Sequence, residues 1–126
     1  MNQATGTFEV KLTPQVDGED CGVGRMTIDK QFHGELEATS QGQMLAARSS
    51  VKGSAGYVAM ERVSGSLNGL TGTFVLQHSG TMTRGEPSLS VTVVPDSGTG
   101  DLTGLSGQMT IDLAAGKHSY VFQYAL

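Results

Sequence analysis

Three ionisable side chains fall within alternating, apolar stretches of this sequence. Lys30 follows Met26 and Ile28 at two-residue spacing in GRMTIDKQFHG, residues 24–34, and His78 follows Phe74 and Leu76 in TFVLQHS. Glu61 shares one face of YVAMERVSGSL with Tyr57, Ala59 and Val63, while Val58 and Met60 share the other, so alternation does not fix which face points inward. A charged amine or carboxylate alone in an apolar interior costs several kcal/mol, so it must be neutralised, paired or wet. A Glu61–Lys30 or Glu61–His78 pair would be an acid/base couple. A lysine at the polar end of a cavity would suit a ligand carrying a carboxylate or enolate. The plainer alternative has Lys30 reaching past a rim, His78 bonding a carbonyl and Glu61 facing solvent. Tyr57, Tyr120 and Tyr124 either line a cavity or serve as core aromatics with their hydroxyls at the rim.

Other chemistry-bearing residues point to less. HGELE puts His33, Glu35 and Glu37 on one face of a strand, a spacing able to hold a metal. That face is opposite to the apolar one, so a solvated outer face is expected and no metal or cofactor is called for. Cys21, between Asp20 and Gly22, is the single cysteine. Neighbouring carboxylates raise a thiol pKa, which argues against a nucleophile, and no intrachain disulfide can form. SGTGD at 97–101 lacks the Gly-Lys-Ser/Thr ending of a phosphate loop. His118, after AGK, is expected to be exposed beside a hairpin turn.

Two echoes link the strands. MTID occurs at 26–29 and again at 109–112, and L-x-G-L-x-G occurs at 67–72 and 102–107. Aligned on a leading glycine, three segments read Gly24, Met26, Ile28, Lys30; Gly72, Phe74, Leu76, His78; and Gly107, Met109, Ile111, Leu113. The fourth slot therefore holds Lys30, His78 or Leu113. If these slots lie at one end of a barrel, Lys30 and His78 reach a common opening.

The elements that must position these residues are strands. The chain of 126 residues has 18 glycines, no tryptophan, 37 % hydrophobic and 16 % charged residues, a turn-rich composition expected of one domain over 1–126. Alternation at period two recurs between turn signals. TFEVKLT presents Phe8, Val10 and Leu12, and QVDGEDCG turns. One long bent strand is expected from about Arg25 to Ser40, because the apolar phase survives across Gly34. SQGQ is expected to turn, and MLAARSS to be a short strand or a helical turn. YVAMERVSGSL is a strand, and NG at 68–69 then marks a type I′ hairpin leading into TFVLQHS. TRGEP turns, SLSVTVV is a strand, PDSGTGDLTG is a long loop, and MTIDL and HSYVFQYAL close the chain around AAGK. About eight sequential antiparallel strands suit an up-and-down barrel, with a two-sheet sandwich as the alternative.

Eight basic against twelve acidic residues, a net charge of −4, disfavour nucleic acid and anionic membranes as partners. MNQATGTFEV lacks the basic and apolar regions of a signal peptide, and no apolar run has the length of a membrane helix, so a cytoplasmic location is expected.

The segments GRMTIDKQFHGELEATSQGQML, GYVAMERVSGSL, GTFVLQHSG, VTVVPDSGTGDLTGLSG and GKHSYVFQYAL resemble, over nearly the whole chain, a bacterial family of uncharacterised short proteins, a domain of unknown function. That resemblance implies a small antiparallel barrel similar to those of allene oxide cyclases and dirigent proteins, and no settled activity. Allene oxide cyclases steer a ring closure in a largely apolar barrel cavity, but none of their functional residues maps onto this chain one by one. A shared fold does not carry a reaction with it. The expected function is binding of a small, partly apolar or carboxylate-bearing ligand at Lys30, His78, Glu61 and Tyr57. A cyclase or isomerase using His78 or Glu61 for proton transfer is the second reading. A structural or homo-oligomer-forming module with a filled barrel is the third.

Overall fold

A computed structural model describes residues 1–16 and 21–126. It forms a closed antiparallel barrel of eight strands in sequential order: β1 (Asn2–Gln15), β2 (Gly24–Gly34), β3 (Leu36–Arg48), β4 (Ala55–Leu67), β5 (Leu70–Thr83), β6 (Glu86–Val93), β7 (Ser106–Ala114) and β8 (Lys117–Ala125). The up-and-down barrel is thus the architecture, and the sandwich is not. Closure leaves neither end strand as a free edge, since β1 pairs along both β2 and β8. The β6–β7 seam is the thinnest, with Thr92 opposite Gln108 as its one paired position. Among the described residues no helix is long and apolar enough to cross a membrane.

Three connections are two-residue turns. Asn68–Gly69, Arg84–Gly85 and Ala115–Gly116 all have positive φ, as the type I′ hairpin requires. The expected long loop after β6 carries a single 3₁₀ turn, Gly100–Leu102. It folds back along β5, where Thr99 N–H donates to the Thr73 carbonyl at 2.8 Å. Its Leu102 and Leu105 are buried against the core and help close one end of the barrel.

The long bent strand expected from Arg25 to Ser40 is instead two strands folded back on each other. Gly34, at φ 114°, makes the corner, and Phe32 pairs with Ala38. The apolar phase survives because each inward residue of β2 faces an even-numbered partner on β3: Lys30 opposite Ser40, Ile28 opposite Gly42. A reversal that preserves parity leaves no trace in the alternation. SQGQ is consequently no turn; it lies within β3, as does most of MLAARSS. Gly42 is needed there for close approach, since a Cβ would stand 2.0 Å from the Met60 carbonyl oxygen and 2.7 Å from Glu61 Cα. Of QVDGEDCG, residues 17–20 lie outside the described residues; Cys21 is free and exposed.

Side chains fill only one half of the interior. Phe32, Leu36, Val63, Leu67, Phe74, Leu76, Phe122 and Tyr124 pack at the end closed by the Gly34 corner and the loop after β6. Phe74 and Phe122 stack at 5.8 Å, and Phe32 meets Tyr120 edge-on at 5.6 Å. Tyr120 is not at the rim: it is buried, and its hydroxyl staples the corner. It accepts from Leu36 N–H at 3.0 Å and points at the carbonyls of His33 and Leu36 at 3.0 and 3.1 Å. The Tyr124 hydroxyl accepts from the Asn68 side-chain amide at 2.7 Å. Replacing Tyr120 by Phe removes the hydroxyl and leaves the buried Leu36 N–H without an acceptor. Stability should fall by about 1–3 kcal/mol. Urea denaturation reads this as a lower midpoint with an unchanged slope, and an unchanged midpoint would show that the hydroxyl does not hold the corner.

Candidate functional site

The other half of the barrel is open. A cavity of about 530 Å³ runs from the middle of the barrel to the end bearing the β3–β4, β5–β6 and β7–β8 connections. Its walls are mainly apolar, including Val10, Met26, Ile28, Met44, Leu89 and Ile111. Inward positions near the closed end carry large side chains, whereas nearer the mouth Ala46, Ala55 and Ala59 are small; the place beside Gly80 is taken by the Tyr57 ring, 2.4 Å from where a Cβ would stand.

Lys30, Glu61 and His78 meet at the inner end of this space, and all three line it. They come from β2, β4 and β5, and their relative exposures are 6 %, 1 % and 5 %. Glu61 Oε2 accepts from Lys30 Nζ at 2.8 Å and bonds His78 Nε2 at 2.5 Å. Its other oxygen, Oε1, accepts from the Ser40 hydroxyl at 2.6 Å. Both pairings open from the sequence are therefore made at once, through a single carboxylate oxygen. Lys30 Nζ also lies 4.7 Å from the centroid of Phe8 and 5.3 Å from that of Phe32, where the ring faces favour a cation.

Burial pushes the Glu61 carboxyl up, but the hydrogen bond from His78, the Lys30 and His78 charges and the Lys30 hydrogen bond outweigh it. The pKa falls from 4.5 to about 2. Glu61 is thus an anion at neutral pH and can only accept, so His78 Nε2 carries the hydrogen between them. Among the described residues nothing bonds His78 Nδ1, and no buried side-chain nitrogen or oxygen lacks a partner, so Nδ1 faces the open cavity. Lys30 retains donor capacity beyond its bond to Glu61. An acid or base acting on a bound molecule is then His78 rather than Glu61, whose two oxygens are engaged and whose basicity is low.

Tyr57 lines the cavity beside the trio, and its phenol pKa is raised by burial and by the Glu61 charge. His118 corrects expectation: it is half-buried, stacks on Phe8 at 4.9 Å and lines the cavity. Because β8 begins at Lys117, directly after the turn, its second residue already points inward at the mouth. Leu113, the apolar fourth slot, does not join Lys30 and His78; it is 60 % exposed next to the β7–β8 turn. Ser40 was hidden by the supposed turn at SQGQ, and only its position directly opposite Lys30 could have pointed to it.

The HGELE residues scatter. His33 Nε2 lies 3.1 Å from Glu9 Oε1, Glu35 accepts from Thr5 N–H at 2.9 Å, and Glu37 accepts from Gly34 N–H at 2.8 Å. No group of side chains able to hold a metal ion occurs among the described residues.

The lowered Glu61 pKa fixes a sign. A carboxylate depressed on folding adds stability that is fully present above its unfolded pKa and is lost as pH falls from about 4.5 towards 2. Glu61→Gln should therefore cost about 3–5 kcal/mol at pH 7, chiefly by leaving Lys30 buried without a counter-charge. The gap between wild type and variant should shrink across that acid range. Urea midpoints measured from pH 7 down to pH 2 give the difference, and a gap independent of pH would mean that Glu61 is not held ionised.

Comparison with known proteins agrees with this architecture. A crystal structure of a protein with unknown function from the DUF3224 family, from Shewanella oneidensis MR-1, is similar to this chain at 54 % sequence identity and a TM-score of 0.94. The match covers 100 % of this chain and 97 % of the other. No curated protein matches the sequence. The comparisons do not confirm the expected likeness to allene oxide cyclases and dirigent proteins. The model of DUF3224, described as a protein of unknown function, matches residues 4–124, and the chain belongs to that family.

Proposed function

We propose that this protein binds a small, mainly apolar molecule in the open half of its barrel, with one oxygen-bearing group of the ligand seated against Lys30 and His78. The observation that carries this reading is the burial of a Lys30–Glu61–His78 cluster at the inner end of an apolar cavity of about 530 Å³. Small-molecule sites have this character: a few hundred cubic ångströms of apolar wall and a few convergent polar groups. As a purely structural device the cluster makes little sense. Well-packed apolar side chains of similar volume stabilise an interior as well as a buried ion pair or better. Room for ligand atoms also exists directly beside it, because Ala59 stands where a larger residue would fill the barrel.

Lys30 donates and is attracted to anions, while His78 Nδ1 can accept or donate with its protonation state. A carbonyl, enol or carboxylate oxygen fits both. Tyr57 and His118 supply aromatic surface along the cavity wall, suited to a flat or unsaturated apolar body.

Native mass spectrometry of freshly purified protein should reveal a retained small molecule. Saturation-transfer NMR should detect 2-naphthoic acid and 2-tetralone in the cavity. Lys30→Met and His78→Leu should each weaken that binding by about tenfold, the scale of one charge-assisted hydrogen bond. Retention and probe affinity unchanged in both variants would overturn the assignment of the polar end.

A further inference from the structure

Resting on the binding reading above, we infer that the site is built to move a proton at a carbon next to a carbonyl group. His78 Nδ1 is the base, Lys30 the partner of the developing oxyanion, and Glu61 the residue that positions both.

The roles follow from how the three side chains divide their bonds. Glu61 holds His78 by Nε2 at 2.5 Å, which fixes the tautomer and the ring and leaves Nδ1 towards the cavity. An imidazolium formed by proton uptake at Nδ1 would face the Glu61 carboxylate across that same bond. Lys30 meets the same carboxylate oxygen at 2.8 Å, so its ammonium and the His78 ring flank one point. A base and an oxyanion donor converging beside an apolar chamber are what enolisation requires: one group to take the proton, another to stabilise the charge that appears on oxygen. Glu61 supplies neither function directly. Its low basicity and its bond from Ser40 at 2.6 Å keep it a fixed anion.

The step balances without a co-reactant. The Cα–H bond breaks and the proton passes to His78 Nδ1. The C–H electron pair forms the Cα=C bond, and the carbonyl π pair moves to oxygen, where a Lys30 N–H donates to it. Return of a proton from Nδ1 to the same carbon gives exchange. Return to a carbon conjugated with it gives isomerisation of an unsaturated ketone. The cavity opens at the barrel end, so Nδ1–H can equilibrate with solvent.

The test is deuterium exchange of 2-tetralone in D2O, followed by proton NMR, with saturation transfer reporting occupancy in the same tube. Wild-type protein should exchange the α-protons at least 100-fold faster than buffer, within the range of a positioned general base. His78→Gln should abolish that gain even at 2-tetralone concentrations that saturate its weakened site, and Lys30→Met should lower it at least tenfold under the same saturation. Corrected for folded fraction, Glu61→Gln should change the pH profile of the exchange rate, which a merely structural loss would not do. Exchange no faster than buffer with 2-tetralone bound overturns the proton transfer and leaves the binding reading standing. No bound 2-tetralone, no bound 2-naphthoic acid and no retained molecule overturn both.

Discussion

A single carboxylate organises the interior of this barrel. Glu61 is almost completely buried, and it remains an anion because His78 and Lys30 bond to it, while Ser40 occupies its other oxygen. Each partner stands on a strand near Glu61 in the sheet: Lys30 on β2, Ser40 on β3, His78 on β5, with Glu61 on β4. Four consecutive strands are thus joined across their inner face as well as by their backbone ladders. The arrangement is tolerable only because it is complete. Removal of any one donor would leave charge or polarity stranded in a low-dielectric interior, where compensation by water is poor.

The cluster also divides the barrel. Towards the closed end, aromatic and branched side chains fill the interior, and the loop after β6 seals it with Leu102 and Leu105. Towards the mouth, Ala46, Ala55 and Ala59 stand at inward positions, and the cavity opens. The filled half fixes the strand register that brings Lys30, Glu61 and His78 to one level; the open half gives their free valences something to face. Gly42 belongs to both tasks. It stands directly opposite Glu61, where a side chain would collide with β4, and its lack of one lets the strands approach at the level of the cluster.

Much of the architecture was legible because strands write their burial locally. Phe8, Ile28, Phe74, Val91 and Phe122 lie buried on the faces that alternation gave them, and the turn at Asn68–Gly69 has the backbone its residues demand. Where strand boundaries were misplaced, parity was the cause. At Gly34 the chain reverses with even positions inward on both arms, so the hairpin looked like one strand and β3 was broken at SQGQ. That error hid Ser40. In the three-strand comparison the fourth slot singled out Lys30 and His78 correctly as inward, yet grouped them with Leu113, which a short β7 leaves exposed beside its turn.

The sequence by itself determined that the chain would form amphipathic strands joined by tight turns, and that Lys30 and His78 would be polar residues on apolar faces. Those properties depend on a residue and its neighbours two positions away. Only the tertiary structure decided that Glu61 points inward, that one of its oxygens serves both Lys30 and His78, that Ser40 occupies the other, and that His118 reaches the mouth. These are relations between strands 17 to 31 residues apart for the bonded pairs. They are set by turn lengths, by the parity of each reversal and by closure of the sheet. Alternation along a strand says which face a side chain takes, but the partner it meets across the barrel is fixed by register.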